Sequence, residues 1–316
     1  MKSPVHPQPG APAPDPFGFA APGAAADPFA TPEAPLPPGA PAPPPLRVDD
    51  LVSGSLRLAA ADLRTLTAIT AICALGPAIV EFVGALFAGD DGRHPLGSIA
   101  NIIRLITLAI AQGGMVHVLL TRAAGRPVPG VQEGLVVGNQ HIGRIVAISL
   151  LTGLACLGVA FPGIIVTALL IPESTILAVL VGLIAVGLPV LFVYARFLLA
   201  VPVAVQGGLP GSKAITRSRT LTKGHTMALA GSAMVLFLLL LVFAFGALGL
   251  PAFLGALAFG GEDGEMPIPF VVAEHVLGFG FEVLWTVSLT ALATQAFIRR
   301  VGVGGAATED LAEIFR

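Results

Sequence analysis

The sequence has few charged residues. Asp, Glu, Lys and Arg make up only 11% of its 316 residues, whereas soluble domains carry about 25%. So few charges do not cover the surface of a water-soluble protein of this length. The two cysteines, Cys73 and Cys156, lie in separate apolar stretches and form no CxxC pair. We therefore predict no zinc site, redox motif or disulfide framework.

Motifs for catalysis are also missing. The sequence contains no GxxxxGK[ST] phosphate loop, no HExxH and no GxSxG nucleophile elbow. The six histidines are scattered, at positions 6, 94, 117, 141, 225 and 275, without the spacing of metal ligands. We therefore predict a protein without catalysis, metal or cofactor. An intramembrane enzyme ranks third among the functional alternatives.

Proline is concentrated at the N-terminus, where residues 1–46 hold 16 of the 28 prolines. Proline removes backbone donors and favours extended polyproline II, and this stretch has no periodic apolar face to bury. Residues 1–48 are therefore predicted to form a disordered cytoplasmic tail. The triplet Asp15-Pro16-Phe17 recurs as Asp27-Pro28-Phe29. The repeat is either a docking motif for a cytoplasmic protein partner or a chance repeat in low-complexity sequence.

Apolar stretches dominate the rest of the chain, with 55% hydrophobic residues and a mean hydropathy of +0.87. A helix needs about 20 apolar residues to cross about 30 Å of hydrocarbon. Pro172-Glu173-Ser174 divides the longest tract into two spans joined by a tight turn. The sequence thus predicts an all-α integral membrane protein, with a membrane domain at 49–300 and a short cytoplasmic tail at 301–316. Its six transmembrane helices are predicted at 66–88, 98–120, 145–170, 175–203, 227–251 and 270–298.

Lysine and arginine in the short connections indicate the orientation. They lie before span one, between spans two and three, between spans four and five, and after span six. Among the connections on the opposite side only Arg93 is basic, and the acidic stretch 262–265 lies there too. We therefore expect a multi-pass protein of the cell (cytoplasmic) membrane with both termini in the cytoplasm.

A short amphipathic stretch precedes each odd-numbered span, at about 50–63, 131–143 and 212–222. Asp49 or Asp50 is a plausible N-cap for the first and Ser212 for the third. Arg64 and Arg144 stand 80 residues apart, and a further 80 leads to Gly224. The pattern predicts three repeats of interfacial helix plus transmembrane hairpin. The alternative is a coincidence of hairpin lengths.

Three ionisable residues lie inside predicted spans, where they are costly unless paired or hydrated. Glu81 is 17 residues from Arg64, Arg104 is 18 from Arg122, and Glu282 is 17 from Arg299. Each therefore lies about 26 Å from the basic edge. We predict that spans one, two and six adjoin and that Arg104 bridges both carboxylates in one intramembrane charged layer. The three residues either pair structurally, reach the outer interface, or form a substrate or proton site. Asn101, Gln112 and Gln295 either extend a polar path or form ordinary hydrogen bonds between helices.

The stretch 194–224 reads YARFLLAVPVAVQGGLPGSKAITRSRTLTKG. It resembles the membrane domain of bacterial glycerophosphoryl diester phosphodiesterases and its uncharacterised relatives, through Arg196, Pro202, Gly211, Ala214, Ser218, Leu221 and Gly224. Gln206 stands where that family usually has an acidic residue, and the catalytic barrel is absent. The resemblance implies a helical membrane domain and carries over no hydrolase activity.

These observations favour a non-catalytic scaffold or accessory component of the cytoplasmic membrane. The basic residues Lys213, Arg217, Arg219 and Lys223 are expected to face anionic lipid or a cytoplasmic partner. Nucleic acid is not an expected partner, because few aromatic residues accompany this basic stretch. The alternative is a small-molecule or lipid transporter that uses the charged layer of Glu81, Arg104 and Glu282.

Overall fold

The computed structural model describes residues 45–86, 96–170, 181–244, 246 and 268–301, and the regular elements in these ranges are all helices. Most of the predicted N-terminal tail and nearly all of the C-terminal tail lie outside the described residues. So do the predicted turn at 172–174 and the acidic stretch 262–265. The predictions for these segments remain predictions.

The all-α prediction with six membrane-spanning helices is confirmed. Six helices are long and apolar enough to cross a bilayer: Leu63–Gly84, Gly97–Ala123, Ile142–Leu169, Leu183–Gly207, Thr226–Ala244 and His275–Val301. Large apolar side chains on their outer faces stay exposed, among them Leu154, Leu169 and Val242. Many large exposed apolar side chains on the outer faces of helices are typical of helices that contact lipid.

The described helices are named in chain order. Spans one to three consist of α2, α3 and α5, and span four begins with a π-helical segment at Leu183–Gly187. The bounds are α1 Val48–Ala61, α2 Leu63–Leu86, α3 Leu96–Ala123, α4 Val131–Gln140, α5 Ile142–Leu170, α6 Leu188–Phe197, α7 Ala200–Gly207, α8 Gly211–Thr222, α9 Thr226–Ala244 and α10 Ile268–Val301.

The largest core cluster joins α2, α3 and α10. Leu66 and Ile69 of α2 pack against Met115 and Leu119 of α3 and Ala291 of α10, and all five are almost fully buried. A second cluster joins α3, α5 and α7 through side chains that include Val116, Ile145 and Val205. Span two is therefore central to the bundle, because it contributes to both clusters.

A short helix precedes each odd-numbered span, as the sequence predicts, but two predicted caps are wrong. Arg47 occupies the N-cap of α1, so Asp49 and Asp50 lie in the first turn, where carboxylates favour the positive end of the helix dipole. Asp50 also pairs with Arg299 of α10 at 3.2 Å. Pro210 occupies the N-cap of α8, which places Ser212 inside that helix.

Each odd-numbered span begins beside a side chain that pairs with an arginine. Asp62, between α1 and α2, forms an ion pair with Arg122 at the end of α3. His141, between α4 and α5, accepts a hydrogen bond from Arg144. His225, between α8 and α9, accepts one from Arg300 at the end of α10. The three junctions share this arrangement, although the paired residue types differ.

The helix α4 runs alongside α3 through a close glycine contact. Gly134 lies against Gly114, and Gly138 lies against Ile110, so the two helices are antiparallel. Ile110 is the midpoint of the span Gly97–Ala123. Unlike the predicted interfacial helix at 131–143, α4 therefore ends beside the middle of span two. Glycine permits this approach because no side chain separates the two backbones.

Span four is interrupted at Leu198 and Leu199, between α6 and α7. Pro202 has no backbone N–H, so the carbonyl of Leu198 lacks the donor that a regular helix would supply. The helix α7 ends at Gly207 and is followed by Gly208, which adopts a left-handed conformation with φ 62°. Four described side chains of α7, among them Val203 and Val205, are buried with Pro202 inside the bundle.

Candidate functional site: a charge triad and a basic helix

The structure brings Glu81, Arg104 and Glu282 together. The Arg104 Nη2 donates to Glu81 Oε2 at 2.6 Å, which joins α3 to α2. The Arg104 Nε lies 3.2 Å from Glu282 Oε1 on α10, within ion-pair range but without hydrogen-bond geometry. One guanidinium thus lies between two carboxylates from two different helices. We call these three residues the charge triad.

The charge triad lies at one level because its three helices share a common basic end. Arg122 and Arg299 mark that end on α3 and α10, and Arg64 marks it on α2. With a fixed rise of 1.5 Å per residue, similar spacing along three packed helices brings the charged side chains to the same depth. Each triad side chain is about 30% exposed, from 27% for Glu282 to 32% for Arg104.

The three residues of the expected polar path lie in different places. The Gln295 side chain lies against Gly54 of α1, where a Cβ on the glycine would approach its Nε2 to 2.8 Å. Asn101 is exposed on the outer face of α3. Gln112 lines a cavity between α3, α5, α6, α7 and α10.

A row of buried threonines, Thr286, Thr290 and Thr294, continues along α10 from Glu282 at four-residue intervals. Sequence reasoning missed this row.

The predicted basic residues lie on and just after α8. Lys213, Arg219 and Lys223 are exposed, and Arg217 is half-buried. The opposite face of α8 is buried and consists of Gly211, Ala214, Ser218, Leu221 and Thr222. The helix therefore presents one basic face outward and packs a face of small and apolar side chains on the bundle.

Hydrogen bonds hold α8 to two spans. The Ser218 hydroxyl donates to the Arg196 carbonyl at 2.9 Å, and the Thr222 hydroxyl donates to the same carbonyl at 3.3 Å. The Arg300 Nε donates to the Leu221 carbonyl at 3.1 Å. Near the start of α8, a Cβ on Gly211 would lie 2.9 Å from Ala147. These contacts fix the direction in which the basic face points.

Two residues on which the family resemblance rests are thus in contact, Arg196 and Ser218. The guanidinium of Arg196 lies 5.7 Å from the ring centre of Phe192, a cation–π distance. Gln206, at the position where an acidic residue is usual, has a buried side-chain oxygen without a hydrogen-bond partner. These contacts do not show that the chain belongs to that family.

The junction histidines are expected to make the stability of the protein depend on pH. Burial lowers the pKa of His141, and the nearby charge of Arg144 and the proximity of His117 lower it further. Burial and then Arg300 lower the pKa of His225. The unfolded chain, with histidine pKa values near 6.5, therefore binds protons more tightly than the folded protein. Stability is expected to fall as pH drops through about 6.5.

Replacing His141 or His225 with glutamine is expected to reduce this pH dependence, because glutamine keeps an acceptor oxygen and does not titrate in this range. The measurement is the midpoint of thermal unfolding at pH 7.5 and at pH 5.5. His6→Gln, in the predicted tail, is the control and should leave the difference between the two midpoints unchanged. An equal difference in all variants would show that the junction histidines do not carry the effect.

Among the residues that the structure describes, no group of three His, Cys, Asp or Glu side chains is placed to hold a metal ion. Comparison with protein-family models, with curated proteins and with solved structures found no match to this chain.

Proposed function

We propose that this chain is a non-catalytic scaffold of the cytoplasmic membrane whose basic α8 face binds anionic lipid headgroups on the cytoplasmic side. The observation that carries the proposal is the fixed outward basic face of α8. Residues 174–261 contain five Lys and Arg residues and no Asp or Glu. The basic residues of α8 therefore have no carboxylate close to them in the sequence.

The orientation and the partners belong to the same proposal. The bias of Lys and Arg toward one side supports cytoplasmic termini. Anionic lipid in the cytoplasmic leaflet attracts basic residues near its surface by about 1 kcal/mol per residue. The Pro-rich tail, on the same side, would bind a cytoplasmic protein partner. The charge triad would then hold the scaffold's spans together rather than act on a substrate.

Replacing the three exposed basic residues of this face, Lys213, Arg219 and Lys223, with glutamine tests the proposal. We expect affinity for phosphatidylglycerol to fall by about a hundred-fold, because three basic residues contribute about 1 kcal/mol each. Native mass spectrometry of the purified protein, titrated with this lipid in detergent, measures bound lipid.

A matched control removes three other exposed arginines, Arg57, Arg64 and Arg126. This variant has the same net charge as the α8 variant and should keep most of the affinity. An equal loss in both variants would show that net charge, and not the α8 face, attracts the lipid. An unchanged affinity in the α8 variant would exclude this face as the lipid site.

Transport through the charged layer is the second candidate. The row of Thr286, Thr290 and Thr294 favours it, because buried hydroxyls extend from Glu282 toward the basic end of α10. Single cysteines at positions 81, 104 and 282, in a chain without Cys73 and Cys156, separate the two functions. Labelling by an impermeant thiol reagent from outside the cell would support transport. Labelling only after denaturation would support a structural charge triad.

A further inference from the structure

A cavity of about 260 Å³ lies between four membrane spans. It is bounded by α3, α5 and α10 and by span four on both sides of its interruption. All of its lining residues lie within the candidate spans. Its polar side chains are Gln112, Ser149, Thr152, Cys156, Tyr194 and Thr290. No residue of the charge triad or of the basic α8 face lines the cavity, although Thr290 of the threonine row on α10 does.

The lining of the cavity selects for neutral molecules. Six of its side chains are polar, and none is a Lys, Arg, Asp, Glu or His. A charged ligand would have no counter-charge among these lining residues and would carry the full cost of leaving water. Hydroxyl and amide groups, by contrast, both donate and accept hydrogen bonds, as the groups of a polyol do.

Thr152 provides an unused hydrogen-bonding group. Several threonines in the spans, such as Thr70 and Thr294, donate their hydroxyl to the carbonyl four residues earlier. The Thr152 Oγ1 is buried without a hydrogen-bond partner in the protein. A buried hydroxyl without a partner destabilises the protein, so a molecule in the cavity that bonds to it would be stabilised.

The interruption of span four lies at the same cavity. Phe197, Leu198, Val201 and Pro202 all line it. Irregular backbone at membrane depth is tolerated where it is buried in protein or lines a hydrated cavity. Discontinuous helices also form the binding sites of many transporters. The interruption and the unused Thr152 hydroxyl are independent observations that indicate one site.

From these observations we infer that the cavity binds a small uncharged polyol. A volume of 260 Å³ corresponds to about nine waters at about 30 Å³ each, which suits a molecule such as erythritol. The Thr152 side chain lines the cavity while its Oγ1 is buried, so a rotation about its Cα–Cβ bond would bring the hydroxyl to the polyol. Gln112 and Tyr194 offer further partners. This site goes beyond the proposed scaffold function, because it needs neither the α8 face nor anionic lipid.

Cys156 serves as a reporter inside the cavity. In a Cys73→Ala variant of the full chain in nanodiscs, methyl methanethiosulfonate, which is small and uncharged, should modify Cys156. We expect erythritol to slow this reaction in a saturable manner, measured by mass spectrometry over time. Thr152→Val, which keeps the side-chain shape, should raise the erythritol concentration for half protection by about three- to ten-fold, because one buried hydrogen bond is lost.

The control places the reporter outside the cavity. In a chain with both native cysteines replaced by alanine, Arg126→Cys carries the only thiol on an exposed connection, and erythritol should not slow its modification. Three results would overturn the inference. One is modification of Cys156 that erythritol does not slow, which would mean that the cavity holds water alone. Another is equal protection in Thr152→Val. The third is a Cys156 that reacts only after denaturation.

Discussion

Replacing Arg104 with leucine is expected to lower the free energy of unfolding by about 2–4 kcal/mol. The substitution leaves Glu81 and Glu282 without their shared partner at membrane depth. Removing one partner of a fully buried ion pair costs about 3–5 kcal/mol. The expected loss is smaller here because each side chain of the charge triad keeps about 30% exposure.

The single tryptophan provides the measurement. Trp285 lies three residues after Glu282 on α10 and packs edge-on against Phe237 of α9, with ring centres 5.7 Å apart. Its fluorescence during titration with a denaturing detergent therefore reports on the packing of α10 against α9. Because the chain has only one tryptophan, the signal needs no further substitution.

Two companion variants separate lost charge pairing from lost packing. Arg104→Lys keeps the charge but not the forked geometry, so an intermediate loss is expected. Adding Glu81→Gln and Glu282→Gln to Arg104→Leu removes the stranded charges and should recover at least half of the loss, because neutral replacement of a whole ion-pair group costs little. A loss in the triple variant as large as in Arg104→Leu would contradict the electrostatic explanation. It would assign the effect to packing.

Replacing Gly138 with alanine is expected to lower the free energy of unfolding by about 2–3 kcal/mol, near the upper end of the range for overpacking. The new Cβ would lie 2.1 Å from the Ile110 carbonyl oxygen and 3.0 Å from the Gly114 amide nitrogen. Both neighbours are backbone atoms, so no side chain can move aside. The helices α3 and α4 must therefore separate. The same detergent titration measures the loss, and Gly138→Leu should be worse.

Gly143 and Gly158 on α5 are the matched controls. A Cβ at either position would meet nothing within 4 Å. Alanine is favoured over glycine within a helix by about 0.5–1 kcal/mol, so stability should be unchanged or slightly higher. If Gly143→Ala and Gly138→Ala destabilised the protein equally, the close contact between α3 and α4 would not explain the loss.

The sequence predicts elements that depend on regular geometry. The six spans follow from apolar length, and the meeting of Glu81, Arg104 and Glu282 follows from a fixed helical rise counted from a basic end. These two features require no knowledge of which side chains interlock. The positions of α1, α4 and α8, one before each odd-numbered span, follow from the same regular spacing along the chain.

Contacts between segments that are far apart in the sequence cannot be predicted in this way. Gly134 and Gly138 look in sequence like glycines of a weak interfacial helix, and only the packed structure shows them against Gly114 and Ile110. The cavity likewise needs residues from four spans, and no local pattern marks Thr152 apart from other threonines. The sequence does contain a signal for the three junction pairs, because Asp62, His141 and His225 each directly precede an odd-numbered span. The sequence analysis did not use this signal.

The position of α4 has a consequence for biosynthesis. With 10 residues, about 15 Å long, α4 is too short to cross a bilayer, and Glu133 adds a charge. During insertion it is expected to remain with the connection between spans two and three. It would dock on α3 only after both spans are in the bilayer, as a later folding step. A defect at Gly138 should therefore leave all six spans inserted with the correct topology and instead arrest the protein before tertiary packing is complete.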